Sequence, residues 1–130
     1  HVKNVSFDEL ISTSDIISFH CKATPDSKPL INKEHYKKMK PTTVIINTAR
    51  GNIVEENDLN NALNNNMIAG AALDVYSKEP AKENILFNNP KVILTPHIAA
   101  STAEAQIIVA EMIANQICNF LLKGVKINTV

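Results

Sequence analysis

Glycine is scarce in this chain. Its 130 residues hold three, Gly51, Gly70 and Gly124. None builds a G-x-G-x-x-G turn or a P-loop cradle, so the 130 residues carry no glycine-rich grip for a diphosphate. Cys21 and Cys118 stand alone with no CxxC pair, and the simplest reading is a reduced, cytoplasmic setting. No His/Cys/Asp spacing matches a metal site, and no metal is expected. Neither sign of charge is in excess: thirteen basic residues face thirteen acidic ones. That balance leaves no electrostatic footprint for nucleic acid or an anionic membrane. No apolar run reaches the ~18 residues a membrane helix needs. The opening HVKNVSFDEL has no signal-peptide pattern. No nucleic-acid partner and no membrane are expected. Arginine is the scarcest charged residue. Arg50 is alone among twelve lysines, just past an apolar run.

The composition that remains is that of a globular domain, or a piece of one, with 45% hydrophobic and 20% charged residues. Four short apolar runs read as strands: IISFH (16–20), VIIN (44–47), IAGAALDV (68–75) and VILT (92–95). They lack polar alternation, as strands covered on both faces of a parallel sheet do. Between them FDELIST, NKEHYKKM and EENDLNNALNNN read as helices, the last with Leu59 and Leu63 at i, i+4. Its asparagine run is a compositional bias within a helical pattern. The alternation predicts an α/β fold with a parallel sheet. A last, longer helix is expected over 101–123. Ser101 and Glu104 form its capping box, Ile107, Ala110, Ala114, Ile117 and Leu121 its apolar stripe, and Gly124 its stop. With the phosphate-gripping half missing, a fragment of a larger domain is the economical reading.

In open α/β sheets ligands bind beyond the carboxyl ends of the strands. The residues there are His20 and Cys21, then Thr48, Ala49 and Arg50, then Asp74 with Glu79 five residues on, then Pro96 and His97. A guanidinium, two carboxylates and an imidazole thus collect on one edge, an inventory for proton transfer coupled to anion binding. Each has an ordinary alternative. An exposed Arg is commonly a solvated charge, an acid at a strand end a cap, a loop Glu a surface acid, and a lone His a structural residue. Placement favours function for Arg50, whose planar fork suits a carboxylate and which has Gly51 beside it for a sharp turn. It also does so for His97, whose small neighbours Ala99 and Ala100 permit close approach. His35, in a lysine-rich helix, reads as solvated, and His20 as ordering its loop. A Ser101–His97–Asp74 hydrolase is disfavoured, since no G-x-S-x-G elbow is present and Ser101 serves better as a cap.

HCKATPDSKPLIN, MKPTTVIINTARGNIVEENDL, AGAALDVYSKEP and VILTPHIAAST resemble, in order and spacing, four successive blocks of the NAD-dependent D-isomer-specific 2-hydroxyacid dehydrogenases. The closing helix, with its STxEAQ opening and LLKG end, is similar to the phosphoglycerate dehydrogenase branch. The resemblance implies the second half of a Rossmann-type NAD-binding domain over residues 1–98. Residues 99–130 would then be a helix crossing back toward a substrate-binding domain. It implies that Arg50 grips the substrate carboxylate, that His97 is the acid/base, and that Glu79 pairs with His97 and favours its charged form. Asp74 would lie by the nicotinamide amide. Cys21, Thr48, Ala49, Arg50, His97, Ile98, Ala99 and Ala100 would line NAD. The implied reaction passes hydride from a D-2-hydroxy acid to nicotinamide and its proton to His97. A 3-phosphoglycerate substrate in serine biosynthesis is the first reading. A glyoxylate or hydroxypyruvate reductase is the second, and a non-catalytic NAD-sensing module resembling corepressors the third. The 130 residues alone are expected to be inactive, and a homodimer or homotetramer is implied. Two positions depart from the family pattern: Lys22 stands where H-x-P has proline, and Glu55 where aspartate is commoner.

Overall fold

The computed structural model describes residues 2–23 and 28–127. Residue 1, residues 24–27 inside the first family-like block, and residues 128–130 lie outside the described residues. The chain forms two compact units, His1–His97 and Ile98–Val130.

The first unit is built on a four-stranded sheet of order β1-β2-β3-β4, with every neighbouring pair parallel. The strands are β1 Ile16–Phe19, β2 Val44–Asn47, β3 Gly70–Leu73 and β4 Val92–Leu94. Each lies within an apolar run and is shorter than or equal to it. Side chains alternate between faces along a strand, and the register aligns that alternation across the sheet. Ile17, Ile45, Ala71 and Val92 share one face, and Phe19, Asn47, Leu73 and Leu94 extend it. The other face carries Ile16, Ile46, Ala72 and Ile93. The absence of polar alternation predicts that both faces are covered. Within the described residues one face is covered: Ile17 and Ile45 are buried, while on the other face Ile16 and Ile93, on the outer strands, are 64% and 72% exposed and Ile46 and Ala72 between them are half-buried. The three α-helices described in this unit all feed one core. They are α1 Phe7–Thr13, α2 Lys33–Tyr36 and α3 Glu56–Asn64. Ile11, Tyr36, Leu59 and Leu63 from these helices cluster with Ile17, Ile45 and Leu73. Each fully buried Leu or Ile contributes about 1.5–3 kcal/mol, which is why the Leu59/Leu63 pair fixes the seat of α3.

Local chemistry sets the helix ends. Ser6 caps α1 by accepting from Glu9 N–H. Glu55 caps α3, its Oε2 accepting from Asp58 N–H at 2.6 Å. The NKEHYKKM segment gives only one turn. Asn32 caps it, and His35 Nδ1 accepts from Asn32 N–H at 3.2 Å. His35 is therefore a capping residue packed edge-on against Phe7, where the sequence suggests a solvated one. No α-helix separates β3 from β4 among the described residues, and a long loop makes that crossing.

The second unit holds α4, Ala103–Lys123. It starts two residues later than expected. Thr102, not Ser101, is the cap, its Oγ1 accepting from Ala105 N–H at 3.1 Å. Gly124 ends it with a left-handed φ of 65°. Polar side chains such as Glu111 and Gln116 interrupt the helix, so no unbroken apolar run exists. The helix is nevertheless long and apolar enough, by length and composition alone, to cross a membrane.

Candidate active site

The parallel register brings four strand ends level at Phe19, Asn47, Leu73 and Leu94. The loops leaving these ends therefore emerge on one edge of the sheet. The ladder runs one step further there, with Asp74 N–H donating to Asn47 C=O and Thr95 N–H to Leu73 C=O, both at 3.0 Å.

Asn47 shapes the loop after β2. It is 1% exposed, and a buried amide needs partners. Its Nδ2 donates to Arg50 C=O at 2.9 Å and its Oδ1 accepts from Ala49 N–H at 3.2 Å. The loop is thereby folded back on the strand end and Arg50 is thrust outward. The exposed guanidinium donates from Nη1 to Ala49 C=O at 2.7 Å. Gly51 lets a second loop come close. A Cβ placed on it would overlap the Tyr76 carbonyl. The loops after β2 and β3 touch there, backbone to backbone, and any side chain would part them.

Asp74 is 3% exposed and accepts from Thr95 Oγ1 at 2.5 Å. Tyr76 Oη donates to Thr95 C=O at 2.8 Å. These two bonds fasten the end of β3 to the segment that leads from β4 to His97. His97 has a left-handed φ of 56°, a conformation that costs a residue with a Cβ about 1–2 kcal/mol. Such outliers concentrate at functional sites.

Glu79 and His97 meet. Glu79 Oε1 accepts from Tyr76 N–H at 3.0 Å, and Oε2 lies 2.6 Å from His97 Nδ1. The bond to His97 first, and the Tyr76 N–H second, hold the Glu79 carboxyl below its ordinary value of 4.5. An ionised carboxylate can only accept, so the proton in this bond sits on Nδ1. Nε2, on the opposite edge of the ring, is then the nitrogen that can take up or release a proton.

Arg50, Glu79 and His97 line one cavity of about 430 Å³, with Gly51, Tyr76 and Ala23. A neighbouring cavity of about 560 Å³ is lined by His20, Cys21, Lys22, Thr48, Ala49 and Arg50. Arg50 belongs to both. A third, largely apolar space of about 520 Å³ has Phe87, Leu94 and Pro96 beside Glu79 and His97.

Of the residues singled out in the sequence, Arg50, Glu79 and His97 are thus brought together. Cys21, Thr48 and Ala49 lie along the adjoining cavity. Asp74 lines neither of these two spaces and is buried against Thr95. Ile98, Ala99 and Ala100 belong to the second unit. There Ile98 C=O accepts from Ser101 N–H at 2.9 Å and Ala100 C=O from Gln106 Nε2 at 2.6 Å. His20 Nε2 bonds Ser18 Oγ at 2.9 Å, in keeping with a loop-ordering role. Sequence reasoning misses Asn47, Tyr76 and Thr95. A polar residue closing the apolar run VIIN is the available signal for Asn47. For the other two, nothing in the chain marks the contact.

Residues 1–99 match the model of the family described as D-isomer specific 2-hydroxyacid dehydrogenase, NAD binding domain. A D-3-phosphoglycerate dehydrogenase of Bacillus subtilis is 44% identical over 119 residues, covering 92% of this chain and 23% of that protein. A hydroxypyruvate reductase of Blautia hydrogenotrophica is 40% identical over 127 residues, covering 97% of this chain and 39% of that protein. Among solved structures, a glyoxylate reductase from Paecilomyes thermophila superposes with a TM-score of 0.80 at 37% identity, over 95% of this chain and 38% of that one. The chain therefore spans well under half the length of each of these relatives. With its matched region running through the parallel sheet and the Arg50–Glu79–His97 cavity, the chain belongs to the NAD-binding domain family of the D-isomer-specific 2-hydroxyacid dehydrogenases.

Proposed function

We propose that these 130 residues carry the acid–base half of the active site of a longer NAD-dependent oxidoreductase acting on the CH–OH group of a D-2-hydroxy acid. The observation that carries this reading is the single cavity lined by Arg50, Glu79 and His97. Residues 1–98 act as the nucleotide-binding part and 99–130 as the connection to the substrate-binding part.

Arg50 binds the carboxylate of the hydroxy acid. Its planar fork orients two oxygens at once, where a lysine would supply charge without direction. His97 Nε2 takes the hydroxyl proton. Glu79, on Nδ1, fixes the tautomer and stabilises the imidazolium that forms. General acid–base help of this kind contributes ~10²–10⁴-fold. The cavity beside Arg50, lined by Cys21, Thr48 and Ala49 at strand ends, fits the portion of a dinucleotide that lies along the sheet edge. No glycine-rich turn for its diphosphate occurs in the 130 residues, and the isolated segment is inactive in this reading. When bound, NAD supplies the hydride acceptor.

The substrate we favour is 3-phosphoglycerate, after the relative from Bacillus subtilis. Glyoxylate or hydroxypyruvate is the second reading, after the relatives of those names. A purely NAD-sensing module is the third, and the joint presence of all three site residues weighs against it. Cytoplasmic location and a homodimer or homotetramer complete the proposal. The test is Arg50→Lys in the full-length protein, assayed against a panel of 2-hydroxy and 2-keto acids. We expect kcat/KM to fall about 100-fold with the fold intact. Unaltered kinetics would remove Arg50 from the mechanism, and the panel ranks the substrates.

A further inference from the structure

The loop that carries Glu79 has no helix to stiffen it, yet Glu79 must hold one ring nitrogen at hydrogen-bond distance. A residue outside the loop ties it down. Glu56, the first residue of α3, turns both carboxylate oxygens toward it. Oε1 accepts from Ser77 N–H at 2.8 Å. Oε2 accepts from Ser77 Oγ and from Asn84 Nδ2, each at 2.9 Å. One side chain thereby pins both ends of the 77–84 stretch, with Glu79 between them. Asn84 Oδ1 also accepts from Leu86 N–H at 3.0 Å, and Leu86 is fully buried, so the far pin reaches the core.

An acid in the first turn of a helix ordinarily serves the helix dipole. Here the capping is done by the preceding residue, Glu55. Three donors from two loop residues converge on Glu56, and a carboxylate, with two acceptor-only oxygens, is the side chain that can satisfy them. α3 also follows directly on the segment that presents Arg50, through the 3-10 turn Gly51–Ile53. The clasp therefore joins α3, the helix that follows the Arg50 segment, to the loop bearing the imidazole's partner.

We infer that Glu56 is a positioning residue for the Glu79–His97 pair. It holds the 77–84 loop in the one arrangement that keeps Glu79 on Nδ1. This rests on the dehydrogenase reading for its kinetic consequence, but not for its structural one.

The experiment compares Glu56→Ala, Glu56→Gln, Ser77→Ala and, as a helix-stability control, Glu55→Ala in the full-length protein. It reads kcat, KM for the hydroxy acid, and the His97 Nδ1 proton resonance. Glu56→Ala is expected to lower kcat about tenfold, with KM changed less than about twofold, and to broaden or shift the Nδ1 signal. Glu56→Gln keeps an acceptor oxygen and recovers part of the loss. Ser77→Ala removes one bond and falls between. Glu55→Ala lowers stability with kcat retained. Unchanged kcat and an unchanged Nδ1 signal in Glu56→Ala would overturn the inference, as would an equal loss of kcat in Glu55→Ala. If Glu56→Ala does not fold, Glu56→Gln and Ser77→Ala decide by the same readouts. If the unaltered protein oxidises no hydroxy acid, the dehydrogenase reading fails, and the Nδ1 signal alone still decides whether Glu56 holds the pair.

Discussion

Glu79 Oε2 and His97 Nδ1 lie 2.6 Å apart although the two residues are eighteen positions apart in the chain. The two side chains come from different loops. Each loop is fixed by its own bonds, Glu79 by Tyr76 N–H and the segment before His97 by the Tyr76 hydroxyl on Thr95 C=O. Tyr76 therefore serves both partners, one with its backbone and the other with its side chain.

This pairing sets a pH dependence for stability. The Glu79 carboxyl is held low in the folded chain, by the bond to His97 before all else. As pH falls, the unfolded chain takes up that proton first. The stabilisation is complete above the ordinary value of 4.5 and is lost as pH falls through the lower, folded-state value. The difference in urea midpoint between the unaltered chain and Glu79→Gln should therefore be larger at a pH of about 6 than at about 3. A difference that stays constant across that range would show that the carboxylate gains nothing from its partners.

Gly51→Ala tests the contact between the two site loops. The added methyl would overlap the Tyr76 carbonyl and lie 2.5 Å from Ser77 N, so backbone must move. We expect a loss of about 1–3 kcal/mol or more in denaturant unfolding, together with loss of turnover. Gly70→Ala is the comparison. Its Cβ would come no nearer than 3.1 Å, to Lys91 C=O, and the cost should be smaller. Equal costs at the two positions would mean that the loops have room to separate.

Tyr36→Phe should not harm the fold. The side chain is 1% exposed, and its hydroxyl has no hydrogen-bond partner among the described residues. Burial pushes the phenol well above its ordinary range, so the group stays neutral and gains nothing by ionising. Leaving such a hydroxyl unsatisfied costs about 1–3 kcal/mol. Its removal is expected to leave thermal stability unchanged or to raise it by about 1 kcal/mol. A loss of more than about 1 kcal/mol would show that the hydroxyl finds a partner in solution.

Much of this is readable from the chain, for identifiable reasons. The strands announce themselves because VII, GAAL and VIL are apolar on consecutive residues, and their ends place Arg50, Asp74 and His97 on one edge by register alone. How far the second face of the sheet is covered is not readable, since composition reports that Ile16 is apolar and not what packs on it. His35 is misjudged because a lysine-rich neighbourhood suggests solvent, whereas its Nδ1 is taken by the Asn32 amide. The cap of α4 slips from Ser101 to Thr102 because both hydroxyls suit the role and spacing alone does not choose between them. Glu56 is hidden by a plausible local explanation. A first-turn acid fits the helix dipole, and its bonds to Ser77 and Asn84 span 21 and 28 residues that no local pattern can connect.

The surface of α4 has a practical corollary. Ile107, Ile113, Phe120, Leu121 and Leu122 are each about half or more open to solvent. Contiguous oily area of that kind draws molecules to one another in water. Concentrated preparations of the 130-residue polypeptide should therefore self-associate and scatter light unless a mild detergent or a shortened C-terminus shields or removes that helix, and handling in the laboratory has to begin there.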